Sequence, residues 1–151
     1  MLAKPAPGSD RSPGLWVTPE GLSIHYRYNP GNLGPWGITQ TGNQDGKFFE
    51  MDTWYHIAGV KEGGQFIGYT DGKETAKEAV PKEHTQGPYS LFVGNSPAYG
   101  GPAAKFIMDE LVFYNRAIDP KEIDEIMDGG FLSVDTNSKV ASTWGNIKRL
   151  Y

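Results

Sequence analysis

The sequence predicts an all-β fold of antiparallel strands with one short helix. Aromatic residues make up 13% of the 151 residues, and the chain contains 20 glycines and 11 prolines. That composition is typical of short strands joined by turns. Apolar and polar residues also alternate in several short runs between turn signals, as they do in strands with one buried face. The length fits one domain with a core of its own.

Charge and composition exclude several classes of function. The formal net charge is −4 and there is no cysteine, which excludes disulfides and thiolate metal sites. The longest basic cluster is Lys148-Arg149, too short for a nucleic-acid footprint. No apolar run reaches the length of a membrane span, and no apolar stretch of a signal peptide follows Met1. We therefore expect no nucleic-acid partner and no membrane insertion.

Strands are predicted first at residues 22–28 and then at residues 47–50. In the first run, one face carries Leu22, Ile24, Tyr26 and Tyr28, and the other carries Ser23, His25 and Arg27. We expect the first face to be buried, with Tyr26 and Tyr28 packed in the core.

A three-stranded meander is the strongest prediction. It comprises residues 54–60, 65–70 and 73–77. Glu62-Gly63-Gly64 and Asp71-Gly72 lie between these strands, and both are tight-turn sequences. Loops this short join antiparallel neighbours.

Further strands are predicted at residues 89–94 and 105–114, separated by a loop rich in glycine and proline. A helix is predicted from the N-cap Asp119, because Pro120 and Glu122 complete a capping box with proline at the first helical position. Gly129-Gly130 ends this helix. A small hairpin is predicted after it.

Four segments in order resemble a known family. They are WYHIAGV, the returning QFIGYTDGKE, YSLFVGN, and FIMDELVFYNRAIDPKEIDEIM, which together extend over residues 54–127. They resemble the C-terminal part of a laminin-G-like jelly-roll domain, in the concanavalin A-like superfamily. The resemblance implies a sandwich of two antiparallel sheets. It also implies an extracellular or cell-surface protein, often bacterial and multidomain, that binds glycans or proteins.

The resemblance also predicts the domain organisation. Residues 1–14 are interpreted as a flexible N-terminal arm, residues 15–130 as the jelly-roll domain, and residues 131–151 as a C-terminal hairpin and tail. Complete relatives have further strands before the position of Trp54. We therefore expect either a fragment of a longer protein or a subunit that completes its sheets with another chain or a second copy.

Asp109 and Asn95 are the candidate metal ligands. The resemblance implies a calcium ion near Asp109, and calcium prefers oxygen ligands such as carboxylates and carbonyls. The alternative is that Asp109 is a structural hydrogen-bond acceptor and that Asn95 forms a turn.

No catalytic residue is predicted. Glu110 follows Asp109 on a predicted strand, so the two carboxyl groups should point to opposite faces. A glycosidase site needs two carboxyl groups that converge on one bond. Hydrolytic members of the superfamily resembled here carry a Glu-x-Asp-x-Glu run, which this sequence lacks.

The candidate ligand-binding residues are Trp36 and Tyr99, which lie in loops rich in glycine and proline. The leading hypothesis is a non-catalytic module that binds carbohydrate or protein in an extracellular protein. A structural assembly subunit is the alternative, and an accessory domain of a glycoside hydrolase is the third hypothesis.

Overall fold

A computed structural model describes most of the central part of the chain. The described residues are 2–3, 14–18, 23–27, 38–39, 49–82, 90–94 and 105–130. The chain divides into two compact units, Met1–Ala117 and Ile118–Tyr151. No helix among the described residues is long and apolar enough to cross a membrane.

The first unit contains a five-stranded sheet in which every neighbouring pair is antiparallel. Its strand order is β4-β3-β2-β1-β8. The predicted strand at residues 22–28 is confirmed as β3, whereas β2 and β4 were not predicted. The strands are β1 (Leu2–Ala3), β2 (Gly14–Thr18), β3 (Ser23–Arg27), β4 (Ile38–Thr39) and β8 (Phe92–Val93).

A three-stranded antiparallel sheet forms the second layer, and it confirms the predicted meander. Its order is β5-β6-β7, with β5 at Ile57–Glu62, β6 at Gln65–Thr70 and β7 at Lys73–Ala79. Gly63 has a φ of 54° in the first turn. Asp71 has a φ of 49° and Gly72 a φ of 73°, which is the left-handed pair that a two-residue hairpin requires.

A bulge interrupts the pairing of β6 with β7. Gly68 pairs with Ala76, but Tyr69 pairs with Glu74, so Thr75 is the extra residue. The Thr75 hydroxyl donates to the carbonyl oxygen of Gly68 over 3.4 Å. The bulge therefore keeps a side-chain hydrogen bond to the backbone of the neighbouring strand.

The core lies between the two sheets. Ile24 and Tyr26 are buried on β3, as predicted, and they pack with the buried Phe66 and Ala76 of the other sheet. The ring centroids of Tyr26 and Phe66 are 4.9 Å apart. The Tyr26 hydroxyl lies 3.5 Å from the carbonyl oxygen of Ala58, at the long limit of a hydrogen bond.

Two paired glycines make this close approach of the sheets feasible. Gly59 of β5 and Gly68 of β6 lie opposite each other. A Cβ atom on Gly68 would lie 2.8 Å from Cε2 of Tyr26, and one on Gly59 would lie 3.1 Å from Cζ of Phe66. The aromatic rings therefore occupy the space that side chains on these two residues would need.

The second unit begins with helix α1 (Pro120–Met127), and the predicted capping box is confirmed. The amide of Glu122 donates to Oδ1 of Asp119 over 2.9 Å, and the amide of Asp119 donates to Oε2 of Glu122 over 2.9 Å. Ile123 is buried, and Gly129 has a φ of 78° just after the helix. The predicted hairpin beyond residue 130 lies outside the described residues.

The prediction of a strand at residues 105–114 is wrong. This segment has no strand pairing, and its residues are exposed. Glu110 has a φ of 52°, which breaks the two-residue alternation in the middle of the segment. A strand exists only with a partner, and no described strand pairs with this one.

Smaller differences occur at three other places. Phe49 and Glu50 are outside any strand, although residues 47–50 were predicted as one. The predicted strand at residues 89–94 is shorter, with pairing only at Phe92–Val93. Leu2 and Ala3 form β1, so these two residues of the predicted arm belong to a sheet. The predicted boundaries at residues 14 and 130 stay predictions.

Candidate functional site

Residues 49–55 form a closed loop before the meander, which we call the 49–55 loop. The rings of Phe49 and Tyr55 at its two ends meet edge to face, with centroids 4.7 Å apart and planes at 64°. The amide of Glu50 donates to the Tyr55 hydroxyl over 3.0 Å. Phe49 also packs against the core. The base of the loop is therefore held to the body of the first unit.

The tip of the 49–55 loop carries two large apolar side chains outward. Met51 is 76% exposed and Trp54 is 66% exposed. Asp52 between them has a φ of 56°, a left-handed conformation that aspartate tolerates better than most residues. The Thr53 hydroxyl donates to the carbonyl oxygen of Met51 over 3.2 Å. The local hydrogen bonding thus supports the bend that presents Trp54.

His56 follows this loop directly and is held by the hairpin turn at Asp71. The His56 amide donates to Oδ1 of Asp71 over 2.8 Å, and the Asp71 amide donates to the His56 carbonyl oxygen over 2.9 Å. These reciprocal bonds fix the chain where it enters β5. They also place the loop and the β6–β7 turn side by side.

The imidazole of His56 is half-buried, and its Nδ1 is a buried polar atom without a hydrogen-bond partner among the described residues. Burial lowers the pKa of His56, while the carboxylates of Asp71 and Glu110 act in the opposite direction. The backbone of His56 is therefore held by hydrogen bonds to Asp71, whereas its imidazole Nδ1 has no such partner among the described residues.

Residues 105–114, which we call the apolar segment, form a second exposed surface of the first unit. Seven large apolar side chains of this segment are exposed, and Ile107 is 80% exposed and Phe113 57% exposed. Clusters of exposed apolar side chains often mark interaction surfaces. The exposed large apolar side chains are Phe106, Ile107, Met108, Leu111, Val112, Phe113 and Tyr114.

Asp109, the predicted calcium ligand, lies exposed in the apolar segment. Its Oδ1 accepts a hydrogen bond from the Glu110 amide over 2.9 Å. No group of three or more histidine, aspartate or glutamate side chains that could hold a metal occurs in the described part of the chain. Calcium takes six to eight oxygen ligands. The described residues therefore do not by themselves make a calcium site.

The other predicted site residues lie outside the described residues. They are Asn95, Trp36 and Tyr99.

Asp109 and Glu110 do not alternate on a strand as the sequence predicts, because the backbone at Glu110 is left-handed. The two carboxylates remain sequence neighbours in an exposed segment, and Asp109 accepts a hydrogen bond from the amide of Glu110. Strand alternation is therefore no longer a reason to separate them.

Sequence reasoning missed Trp54 and Met51 as surface residues. Trp54 was placed in a strand, but β5 begins only at Ile57. The available signal was Asp52-Thr53, a polar pair between large apolar residues, which is typical of a turn.

Comparisons with known proteins identify the family. A family model, Laminin_G_3 of the concanavalin A-like lectin/glucanases superfamily, matches residues 4–124. No curated protein matches the chain. A crystal structure of an S-layer domain-containing protein (residues 221–444) from Clostridium thermocellum is similar at 16% identity with a TM-score of 0.44. The match covers 69% of this chain and 50% of the crystallised chain, so the similarity extends over about half the length of that protein's crystallised region. On the strength of the family match, which extends over most of its length, the chain belongs to the concanavalin A-like lectin/glucanase superfamily.

Proposed function

We propose that the chain is a non-catalytic binding module of an extracellular protein, with a carbohydrate or a protein as its ligand. The 49–55 loop is the observation that supports this best, because it holds Trp54 and Met51 out of the core on a closed base. Single exposed apolar side chains are ordinary on protein surfaces. Two of them on the tip of one hydrogen-bonded loop are typical of a contact surface for a ligand.

The family supports a binding role, since laminin-G-like domains are generally binding modules. The proposed role is therefore recognition, and the ligand is expected to leave unchanged.

An array of glycans and purified extracellular proteins tests this proposal. We expect saturable binding to at least one ligand class, and no hydrolysis of a β-glucan panel over the same period. Saturable binding with intact products would support the module. Release of reducing sugar would overturn the non-catalytic part, and the absence of any binding would overturn the proposal.

The same array, repeated in the presence of a calcium chelator, tests whether binding of the ligand requires calcium. Loss of binding in chelator would support an ion held by Asp109 and Asn95. Binding that survives the chelator would remove calcium from the proposal.

A structural assembly subunit is the second candidate, and the apolar segment favours it. The segment is exposed, and it lacks strand pairing in the described part of the chain. Such a segment invites pairing with another chain. We expect the sedimentation coefficient to rise with concentration, and we expect Ile107→Lys to reduce that rise. A sedimentation coefficient independent of concentration in both proteins would exclude assembly of this kind.

A further inference from the structure

We propose that the 49–55 loop is a carbohydrate-contact site and that its ligand is an uncharged sugar chain. This inference rests on the proposed function and names the ligand class for it. The loop combines an exposed indole, a closed base and acidic neighbours, and each of these features restricts what it can bind.

The loop is organised before any ligand arrives. The Phe49 and Tyr55 rings and the hydrogen bond from the Glu50 amide to the Tyr55 hydroxyl close its base. The hydrogen bond from Thr53 to Met51 spans its tip. Binding therefore costs little loop ordering, and a preorganised loop retains more of the contact energy as affinity.

Trp54 provides the contact surface. Its side chain is 66% exposed, so much of the indole is open to solvent. Pyranose rings have one face rich in C–H groups, and such a face packs on an aromatic ring in the way that other apolar groups do. Met51 is 76% exposed on the same loop and offers a flexible apolar flank that adapts to ring shape.

The negative charge of the 49–55 loop disfavours acidic ligands. Glu50 and Asp52 are exposed, and no lysine or arginine occurs between residues 49 and 55. Carboxylates accept hydrogen bonds from sugar hydroxyl groups. They repel uronic acids and anionic lipid headgroups, and membrane-binding surfaces are instead rich in basic residues. An uncharged polyol ligand therefore fits this loop better than an acidic polysaccharide or a lipid surface.

Affinity electrophoresis of the full chain tests the inference. The probes are a soluble glucan, a soluble mannan, a soluble galactan and polygalacturonate as the acidic counterpart. We expect binding to at least one neutral polysaccharide and none to polygalacturonate. Trp54→Ala should weaken that binding about tenfold, as the loss of one aromatic stacking contact does.

Two variants control this result. Trp54→Phe keeps an aromatic face and should retain part of the affinity. Phe113→Ala removes an apolar side chain that is 57% exposed in the apolar segment, and it should leave sugar binding unchanged. Circular dichroism of each variant shows whether the fold persists. As an independent readout, ligand should shift the tryptophan fluorescence of the wild type and not that of Trp54→Phe.

The outcomes separate this inference from the proposed function. Equal sugar binding by wild type and Trp54→Ala overturns the inference and leaves the binding module standing. Binding to polygalacturonate or to anionic phosphatidylserine vesicles in preference to neutral sugars also overturns it. Binding to a purified extracellular protein and to no polysaccharide overturns the inference alone, whereas binding to neither ligand class overturns both.

Discussion

Asp71 holds the backbone of His56 from both sides. Its carboxylate accepts from the His56 amide over 2.8 Å, and its own amide donates to the His56 carbonyl oxygen over 2.9 Å. The two residues are joined although the whole of β5 and β6 lies between them in the sequence. The hairpin turn therefore also anchors the chain that leaves the 49–55 loop.

Replacement of Asp71 should destabilise the first unit by two separable effects. Asp71→Ala loses the carboxylate acceptor and places a Cβ-bearing residue of low left-handed preference at a φ of 49°. We expect a loss of roughly 2 kcal/mol in the free energy of unfolding from strain and hydrogen bonding together. Asp71→Gly removes only the acceptor and should lose less, and Asp71→Asn should lose least. Urea denaturation measures all three, and equal losses would contradict the two-effect account.

The pH dependence of stability should contain a contribution from His56. Its pKa in the folded protein lies below the ordinary value of 6.5, chiefly because of burial. The unfolded chain therefore binds more protons between the two pKa values, so stability falls as the pH drops through that interval. We expect the wild type to lose more stability between neutral and acidic pH than His56→Gln. Parallel urea-derived stability curves for the two proteins would rule out this contribution.

Gly68→Ala should be costly, because its Cβ would lie 2.8 Å from Cε2 of Tyr26. That atom belongs to a buried ring, which has little space to move aside. We expect a loss of about 1–3 kcal/mol, as for other overpacked cores. Gly64→Ala is the matched control, since its nearest contact would be an ordinary 3.5 Å from the Val80 carbonyl oxygen. Thermal denaturation compares the two variants, and similar midpoints would show that the sheets can separate at Gly68.

Asp119→Ala should weaken the start of helix α1. It removes the side chain that accepts from the Glu122 amide, and such N-caps stabilise helices by about 1 kcal/mol. Asp119→Ser preserves a capping oxygen and should retain most of the effect. Amide hydrogen exchange at Glu122 and Ile123 reports the change locally. Unaltered exchange in Asp119→Ala would mean that the cap contributes nothing to the helix.

The elements that the sequence predicts well are those defined by local chemistry. The meander follows from its glycine turns, and the helix follows from Asp119, Pro120 and Glu122, because each signal acts on its own backbone. The burial of Ile24 and Tyr26 follows in the same way from two-residue alternation.

Elements that depend on distant partners were not predictable in this way. Residues 105–114 have the composition of a strand, but pairing is a property of two segments, and the left-handed Glu110 has no sequence marker. The exposure of Trp54 depends on the 49–55 loop, whose base is closed by the contact between Phe49 and Tyr55. The turn signal of Asp52-Thr53 indicates a bend there but does not predict that contact.

The paired glycines have a consequence for how the two sheets are aligned. Along β6, Phe66, Gly68 and Thr70 are all buried, and only the middle one leaves room for a ring. If the five-stranded sheet slid by two residues in either direction, the Tyr26 ring would lie over the side chain of Phe66 or Thr70 instead of over Gly68. The space above Gly59 and Gly68 therefore fits one alignment of the two sheets. Close packing alone, without a directional bond, opposes sliding of one sheet over the other.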